Sequence, residues 1–403
     1  MTDEITDEEF YTWKTSASEE GLISDAAFSY YVQDSKYLYA VFVDGTPVTA
    51  PVFTFRTWLT DEDIDKPLAE FDKSKSVLEE YDEDVLQELA RQIAFSSGGD
   101  PDDAQIQDYL WNSPVYAVTK VDRDNMEFSL TVSDYFTTRQ SAFELEEELA
   151  QGLFKTGITP DTKFIDIRQS LNEFTPEYRN KYAENFNQVM KFEAGPSMAG
   201  GAALTFFNTD DGYVFPVAKR SKDVAEARGW MSPVPSGVFQ PYRKNLDEIE
   251  APSLREHLLK EFSEYFFNAD PRDSIPTHLE GMAELESLLE SGDAEIRYTS
   301  SGIDCKNTHV QFNGVLTIDD ASYFHEYIEN ADLDSWEYES IEFVSIDDGD
   351  RIKELLHKSN MNPYDIVCLS EGLQWIERYR NQTLPIDLRP SSSHRHSQSE
   401  SKQ

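Results

Sequence analysis

The sequence predicts an α+β protein built from two domains, and three observations support this fold class. The chain has 403 residues, which is enough for two or three domains. Hydrophobic residues make up 39% of the chain and aromatic residues 13%, so ordinary hydrophobic cores can form. Runs with strand-like alternation lie between segments whose apolar residues recur at helical spacing. Strands and helices are therefore expected in both halves of the chain.

Residues 1–155 are predicted to form a mixed α+β N-terminal domain, whose role the sequence does not indicate. Two strands, KYLYAVFVDG and TPVTAPVFTFRTWL, meet at Asp44-Gly45, a dipeptide typical of hairpin turns. Residues 77–95 carry apolar residues at helical spacing and predict a helix. A second predicted hairpin covers residues 113–136, with its turn at Asp122 to Asn125.

Residues 156–198 are predicted to be a helical connector, and residues 199–387 a second domain. The second domain has an informative order of elements. A hairpin through Asp210-Asp211-Gly212 is followed by a short strand and the helix of residues 253–267. Two strands, a short helix, a strand and a long final helix come next. The polar, low-complexity residues 388–403 predict a disordered tail.

The charge of the chain is strongly negative. There are 77 Asp and Glu residues against 35 Lys and Arg residues, for a formal net charge of −42. At about 1 M salt the Debye length is roughly 3 Å, so self-repulsion on this scale is largely screened. The acidic residues are spread along the chain, which favours a halophilic protein of haloarchaeal type with an acidic surface. A surface that mimics nucleic acid or binds a basic partner is the alternative. Either interpretation argues against duplex nucleic acid as a ligand.

A cytoplasmic location is expected, without a membrane anchor. No run of 18 or more apolar residues predicts a transmembrane helix. The N-terminal MTDEITDEEF is acidic and is unlike a secretory signal. The two cysteines, Cys305 and Cys368, form no CxxC pair, which suits a reducing compartment.

The helix of residues 253–267, SLREHLLKEFSEYFF, carries the functional question. An apolar stripe is made by Leu254, Leu258, Leu259, Phe262 and Phe266. Glu261 and Glu264 fall off this stripe and are three residues apart, so their carboxylates share one helical face. Two carboxylates on one face can bind Mg²⁺ together with a phosphate and waters. The competing interpretation is that the two glutamates lie on a solvated face. His257, inside the same helix, is expected to be exposed or half-buried.

The order of elements and this helix together resemble the Nudix hydrolase-like superfamily, whose helix has the pattern R-E-U-x-E-E-x-G-U. Lys260 stands where that pattern has Arg, and Glu261 and Glu264 match two of its glutamates. Tyr265 stands where the pattern has its last Glu. Gly237 resembles the glycine that precedes the helix. The resemblance implies a Nudix-like α/β/α sandwich with a mixed sheet over residues 199–387.

The resemblance also implies a function: a metal-dependent hydrolase of a nucleoside diphosphate derivative, which would bind a nucleotide-type small molecule. Its catalytic residues would be Glu261, Glu264 and Lys260, with Mg²⁺ or Mn²⁺ bound by the two glutamates. Lys219, Arg220 and Gly237 would contact the substrate. The water-activating base stays open, with Glu248, Glu250 or a residue of the 281–306 region as the choices.

A catalytically inactive Nudix-like module, which binds a nucleotide or a protein and regulates, is the alternative. Tyr265 favours it because a phenol, with a pKa near 10, cannot replace a carboxylate as a metal ligand at neutral pH. The position of Arg243, where the pattern has a Glu, favours it too. A protein partner or a homodimer would then be expected. A third carboxylate near Glu261 and Glu264 would favour the enzyme. If both glutamates instead point into open solvent, the hydrolase and the nucleotide-binding module are both excluded.

Overall fold

In a computed structural model, the chain has a mixed α+β fold around a mixed, open sheet. The structure describes residues 7–56, 69–76, 78, 113–122, 127–160, 162, 164–221, 229–241, 249–269, 275–329, 331, 337–357 and 361–390. Within these ranges, no helix is both long enough and apolar enough to cross a membrane.

Thirteen strands are described in these ranges. They are β1 Leu38–Val43, β2 Thr46–Arg56, β3 Ala69–Phe71, β4 Pro114–Asp122, β5 Glu127–Asp134, β6 Ser197–Thr209, β7 Gly212–Arg220, β8 Met231–Pro233, β9 Ser236–Val238, β10 Ala294–Asp304, β11 Val310–Ile318, β12 Tyr338–Ser345 and β13 Leu388–Pro390.

The α-helices surround these strands and include three in the predicted connector. They are α1 Asp7–Glu19, α2 Leu22–Tyr30, α3 Tyr135–Lys155, α4 Phe164–Ser170, α5 Glu177–Tyr182, α6 Phe186–Val189, α7 Leu254–Phe267, α8 Glu280–Ser291, α9 Ala321–Tyr323, α10 Gly349–His357 and α11 Pro363–Tyr379. A π-helix, Phe324–Ile328, continues α9.

Strands from both predicted domains belong to one sheet. Its main path runs β13-β1-β2-β10-β11-β6-β4-β5-β3. The central pair, β6 and β11, is parallel, whereas β2 pairs with β10 and β4 pairs with β6 in antiparallel fashion. The segments 1–155 and 199–387 are therefore joined by backbone hydrogen bonds.

The sheet separates two hydrophobic clusters. Along β6, Ala203 and Phe207 belong to the cluster that contains Phe262 of α7. Leu204 belongs to the other cluster, which contains Leu373 of α11. Since successive side chains of a strand point to opposite faces, α7 and α11 pack on opposite faces of the sheet.

Several predicted elements are confirmed. The first hairpin turns at Asp44-Gly45, where Val43 pairs with Thr46 and both turn residues have positive φ, 49° and 81°. Such φ values are those that a two-residue type I′ turn requires. The second hairpin is confirmed by the pairing of β4 with β5. Residues 123–125 of its turn, and all of the helix predicted for residues 77–95 except Leu78, lie outside the described residues.

The C-terminal end differs from the expected tail at its first three residues. Leu388–Pro390 form β13, which pairs with β1 through Val41 and Pro390. Residues 391–403 lie outside the described part of the chain. The sequence around β13 is polar and low in complexity, so its pairing depends on the exposed edge of β1 rather than on a local pattern.

Candidate functional site

Helix α7 begins and ends as its sequence predicts, but more of its surface is buried than expected. The Ser253 hydroxyl caps it by accepting a hydrogen bond from the Glu256 N–H at 3.2 Å. The predicted apolar stripe is confirmed as buried. Lys260 and Glu261 are buried as well, with exposed fractions of 5% and 8%. The interpretation of a solvated face is therefore wrong for Lys260 and Glu261. The third predicted catalytic residue, Glu264, is half-buried.

Glu261 meets Gly237, another predicted site residue, by direct packing. Gly237 lies in β9 and pairs with Gly201 of β6. A Cβ atom on Gly237 would lie 2.2 Å from Glu261 Oε2, so any larger residue there would require the carboxylate to move. Its φ is outside the left-handed region. Gly237 is thus required for close approach of a side chain rather than for an unusual backbone conformation.

His257 lies one turn before Glu261 and is also buried. Its Nδ1 atom is 3.7 Å from Glu261 Oε1. A Cβ atom on Gly201 would lie 2.3 Å from its Cδ2 atom, and its ring packs on Phe239 with centroids 4.5 Å apart. The expectation of an exposed or half-buried histidine is wrong. Burial, with the charge of Lys260, lowers the pKa of His257 to about 3, so the ring stays neutral.

Charges of both signs surround Glu261. Burial raises the pKa of Glu261 well above 4.5, with Glu264 and Glu337 acting in the same direction. Lys260 and Arg220 oppose this rise, and Lys260 forms an ion pair with Glu264. We call Arg220, Lys260, Glu261, Glu264 and Glu337 the carboxylate cluster. Lys260 and Arg220 thus offset part of the negative charge that Glu261, Glu264 and Glu337 bring to the cluster.

Tyr265, at the position where the family pattern has its last Glu, belongs to the packing. Its hydroxyl donates a hydrogen bond to Ser236 O at 3.1 Å. Its ring stacks on Tyr338 with centroids 4.9 Å apart and an interplanar angle of 3°. The Tyr338 hydroxyl donates to Tyr265 O at 2.8 Å. Burial raises the pKa of Tyr265, which keeps the phenol protonated.

Arg220 joins the cluster, whereas its neighbour Lys219 does not. Lys219 forms an ion pair with Glu339 of β12, and the two side chains are 42% and 35% exposed. Adjacent residues of a strand point to opposite faces, which explains the separation. Of the proposed bases, Glu250 is exposed, and Glu248 lies outside the described residues, as does Arg243.

The residues of the cluster do not fit Mg²⁺ or Mn²⁺ well. Throughout the described ranges, no group of three or more His, Cys, Asp and Glu side chains is arranged to hold a metal ion. Glu264 already bonds the Lys260 ammonium, which occupies one of the two carboxylates that would bind the ion. The two cations would also repel a divalent ion.

A second buried carboxylate, which the sequence did not single out, lies beside Arg220. Asp365 is in the first turn of α11 and is 2% exposed. Burial raises its pKa to about 7, although the charges of Arg220 and Lys306 act in the opposite direction. In the sequence, Asn362-Pro363-Tyr364-Asp365 is an ordinary helix start with Pro and an acidic residue in the first turn. No local signal distinguishes Asp365 from a capping residue.

Lys306, whose ammonium lies 3.7 Å from Asp304 Oδ2, belongs to a turn that a buried arginine holds. Residues 304–309, DCKNTH, form a polar turn between β10 and β11 that is buried throughout. Arg179 of α5 is fully buried and donates hydrogen bonds to Cys305 O at 2.7 Å and Lys306 O at 2.6 Å. It also bonds Leu145 O and the Tyr31 hydroxyl at 2.8 and 3.0 Å. One side chain of the connector therefore fixes the turn that carries Lys306.

Comparison with known proteins adds no family to this description. No protein-family model matches the chain. None of the curated proteins is similar to it in sequence.

Proposed function

We propose that the chain is a Nudix-like module that binds a nucleotide-type small molecule and does not cleave it. Glu337 acts on Glu261 as a third carboxylate, which alone would favour the enzyme, but the ion pair between Lys260 and Glu264 beside the buried Glu261 is the observation that carries this proposal. In the hydrolases that the sequence resembles, several carboxylates bind metal ions that polarise the phosphate and deliver a water. Here Lys260 and Arg220 take the place of a metal ion as the positive charges beside the glutamates.

The order and packing of the elements support the Nudix-like part of the proposal. Helix α7 precedes the strands β10 and β11, and α11 is the last helix. The two helices pack on opposite faces of a mixed sheet. Helices on both faces of the sheet are compatible with the proposed sandwich, and α7 is the helix that resembles the family pattern.

The surface favours a small molecule over a protein as the ligand. Among the described residues, only Phe42 and Tyr379 are large, exposed hydrophobic side chains, at 39% and 46% exposure. They lie on β1 and at the end of α11, so they form no apolar patch at the cluster. Arg220 is half-buried there and supplies the cation that a phosphate needs.

The test is a binding and turnover panel in about 1 M KCl, where surface repulsion is screened. The panel holds ADP-ribose, NAD, dinucleoside polyphosphates, nucleotide sugars and nucleoside triphosphates. Each is added with EDTA, or with Mg²⁺ or Mn²⁺, to the wild type and to Glu261→Gln. We expect at least one ligand to raise the melting temperature in EDTA, with no release of phosphate or nucleotide.

Two results would overturn the proposal. Metal-dependent turnover that disappears in Glu261→Gln would make the chain a hydrolase. No binding of any panel member to the folded protein would remove nucleotides as its ligands.

A further inference from the structure

The outer edge of β12 is open in the described part of the chain. β12 pairs with β7 on one side and with no other described strand. Just after β12, Ile346 donates its N–H to Tyr213 O at 3.1 Å. Because the N–H groups of a strand alternate between its two edges, those of Ile341, Phe343 and Ser345 face away from β7.

The residue opposite Phe343 agrees with this direction. Pro216 of β7 pairs with Phe343 and has no N–H to donate. A proline suits a pair of residues that exchange no hydrogen bonds with each other. The N–H and C=O groups of Phe343 therefore point to the open edge, where another strand could pair with them.

β12 lacks the features that protect the other two edge strands. β3 and β13 are each three residues long. β13 ends at Pro390, and Lys73 and Lys75 follow β3 closely. β12 has eight residues, none of which is a proline or a lysine. Short length, proline and lysine discourage pairing with other chains, so β12 is the edge that can accept a further strand.

The two glutamates of β12 do not charge this edge strongly, because each has a cation beside it. Arg351 donates hydrogen bonds to both carboxylate oxygens of Glu342, at 2.9 and 2.5 Å. Glu339 forms its ion pair with Lys219. A strand that approaches this edge would thus meet paired charges rather than bare carboxylates.

A second copy of β12 complements this edge in one antiparallel register. With Phe343 opposite itself, Ile341 faces Ser345 of the second copy, so all three outward-facing residues are paired. Glu342 then faces Val344 of the second copy. Sliding the second strand by two residues would place Glu342 opposite itself, and like charges directly opposite each other are destabilising.

The same register covers the half-buried ring of Phe343. This ring contacts Phe324 edge to face, with centroids 5.3 Å apart, and lies 6.2 Å from the centroid of Phe207. With Phe343 opposite itself, the aromatic cluster continues into the second copy. Aromatic cross-strand pairs stabilise antiparallel sheets. A second copy therefore matches the edge in hydrogen bonding, charge and apolar contact.

We propose that the outer edge of β12 joins two copies of this chain in an antiparallel dimer, with Phe343 opposite itself on the two-fold axis. The sheet is continuous through both copies. The pairing uses the same edge of each copy, so it closes at two chains. This inference does not depend on nucleotide binding.

A cysteine cross-link tests the dimer and its register. Phe343→Cys is treated with a short bismaleimide in about 1 M KCl, where repulsion between two acidic chains is screened. In the dimer the two Cα atoms at this position are about 5.5 Å apart. Ser340→Cys is the matched control, because it is exposed and its two copies lie about 20 Å apart in this register. The native Cys305 and Cys368 are buried.

We expect Phe343→Cys to form a cross-linked dimer at least about tenfold faster than Ser340→Cys, because the paired thiols have a high effective concentration. Sedimentation of the wild type should show a dimer whose share grows with protein concentration. Ile341→Pro removes an outward-facing N–H without breaking a bond to β7, and it should shift the equilibrium to the monomer. Ile341→Val keeps the N–H and should not.

Three results would overturn the inference. They are equal cross-linking of Phe343→Cys and Ser340→Cys, a wild type that stays monomeric up to about 1 mM, and a dimer that persists in Ile341→Pro. If Phe343→Cys does not fold, as judged by its melting curve, hydrogen exchange of the wild type decides. The amides of Ile341 and Phe343 must then exchange more slowly as the protein concentration rises, and exchange that is independent of concentration overturns the dimer.

Discussion

The carboxylate of Glu261 lies against the backbone of Gly237, at a distance that leaves no room for a methyl group on the glycine. A Cβ atom there would stand 2.2 Å from Oε2. Both residues are site residues on the family pattern, and the fold does bring them together. The buried side chain of Glu261 packs on strand β9 at Gly237, so the contact between the two residues is one of packing.

Gly237→Ala should destabilise the protein by about 1–3 kcal/mol, because the buried Glu261 carboxylate must move from its position. Denaturant unfolding at neutral pH measures the loss. The double variant Gly237→Ala/Glu261→Ala lacks the clash. Its loss of unfolding free energy should therefore be smaller than the sum of the losses measured for Gly237→Ala and Glu261→Ala alone. Additive losses would show that the two side chains do not compete for this space.

Glu261→Gln should gain stability over the wild type as the pH rises. The pKa of Glu261 is raised from its ordinary 4.5 in the fold, so folding favours the protonated acid. The wild type therefore loses stability as the pH rises from 4.5 through the folded pKa, and the neutral glutamine does not. Melting curves of both proteins from pH 4.5 to 9 test this. A stability difference between the two proteins that stays constant with pH would contradict the raised pKa of Glu261.

His257→Gln should resist acid better than the wild type. The pKa of His257 is lowered from 6.5 to about 3, so the folded state disfavours the protonated ring. Stability is then lost as the pH falls from 6.5 towards 3, at a rate that approaches about 1.4 kcal/mol per pH unit. Unfolding of both proteins at pH 7, 6, 5 and 4 measures the difference. Parallel losses in the two proteins would mean that His257 is protonated in the fold.

Arg179→Met should destabilise the protein by at least about 1–3 kcal/mol, because it leaves buried carbonyl oxygens without their hydrogen-bond donor. Arg179 is fully buried and bonds three backbone carbonyls and one hydroxyl. The same change at the exposed Arg168 is the control and should have little effect. Equal unfolding free energies for the two variants would remove the role assigned to Arg179.

Local signals in the sequence predicted the local structure well. Asp44-Gly45 predicted its hairpin because few dipeptides tolerate two consecutive positive φ angles. The apolar stripe of α7 predicted which helix face meets the core, and Ser253 predicted its start. These signals depend on neighbours in the chain, so one sequence is enough to read them.

The candidate site was less predictable because its burial depends on distant residues. A periodicity argument assigns Lys260 and Glu261 to solvent, since they are charged and lie off the stripe. Gly201 and Gly237, far away in sequence, make room for His257 and Glu261 under the sheet. Asp365 acquires its environment from Arg220 and Lys306, which come from two other elements. None of these contacts has a local pattern.

The strand pairing also has a consequence for synthesis on the ribosome. β1 and β2 are complete by Arg56, but β2 pairs with β10, which begins at Ala294, and β1 pairs with β13, which ends at Pro390. During translation these two strands emerge long before their partners. Unpaired strand edges are templates for association with other chains, so the nascent protein carries this hazard until β10 and β13 have been made. Chaperone occupancy of the hairpin of β1 and β2 should therefore persist until that point.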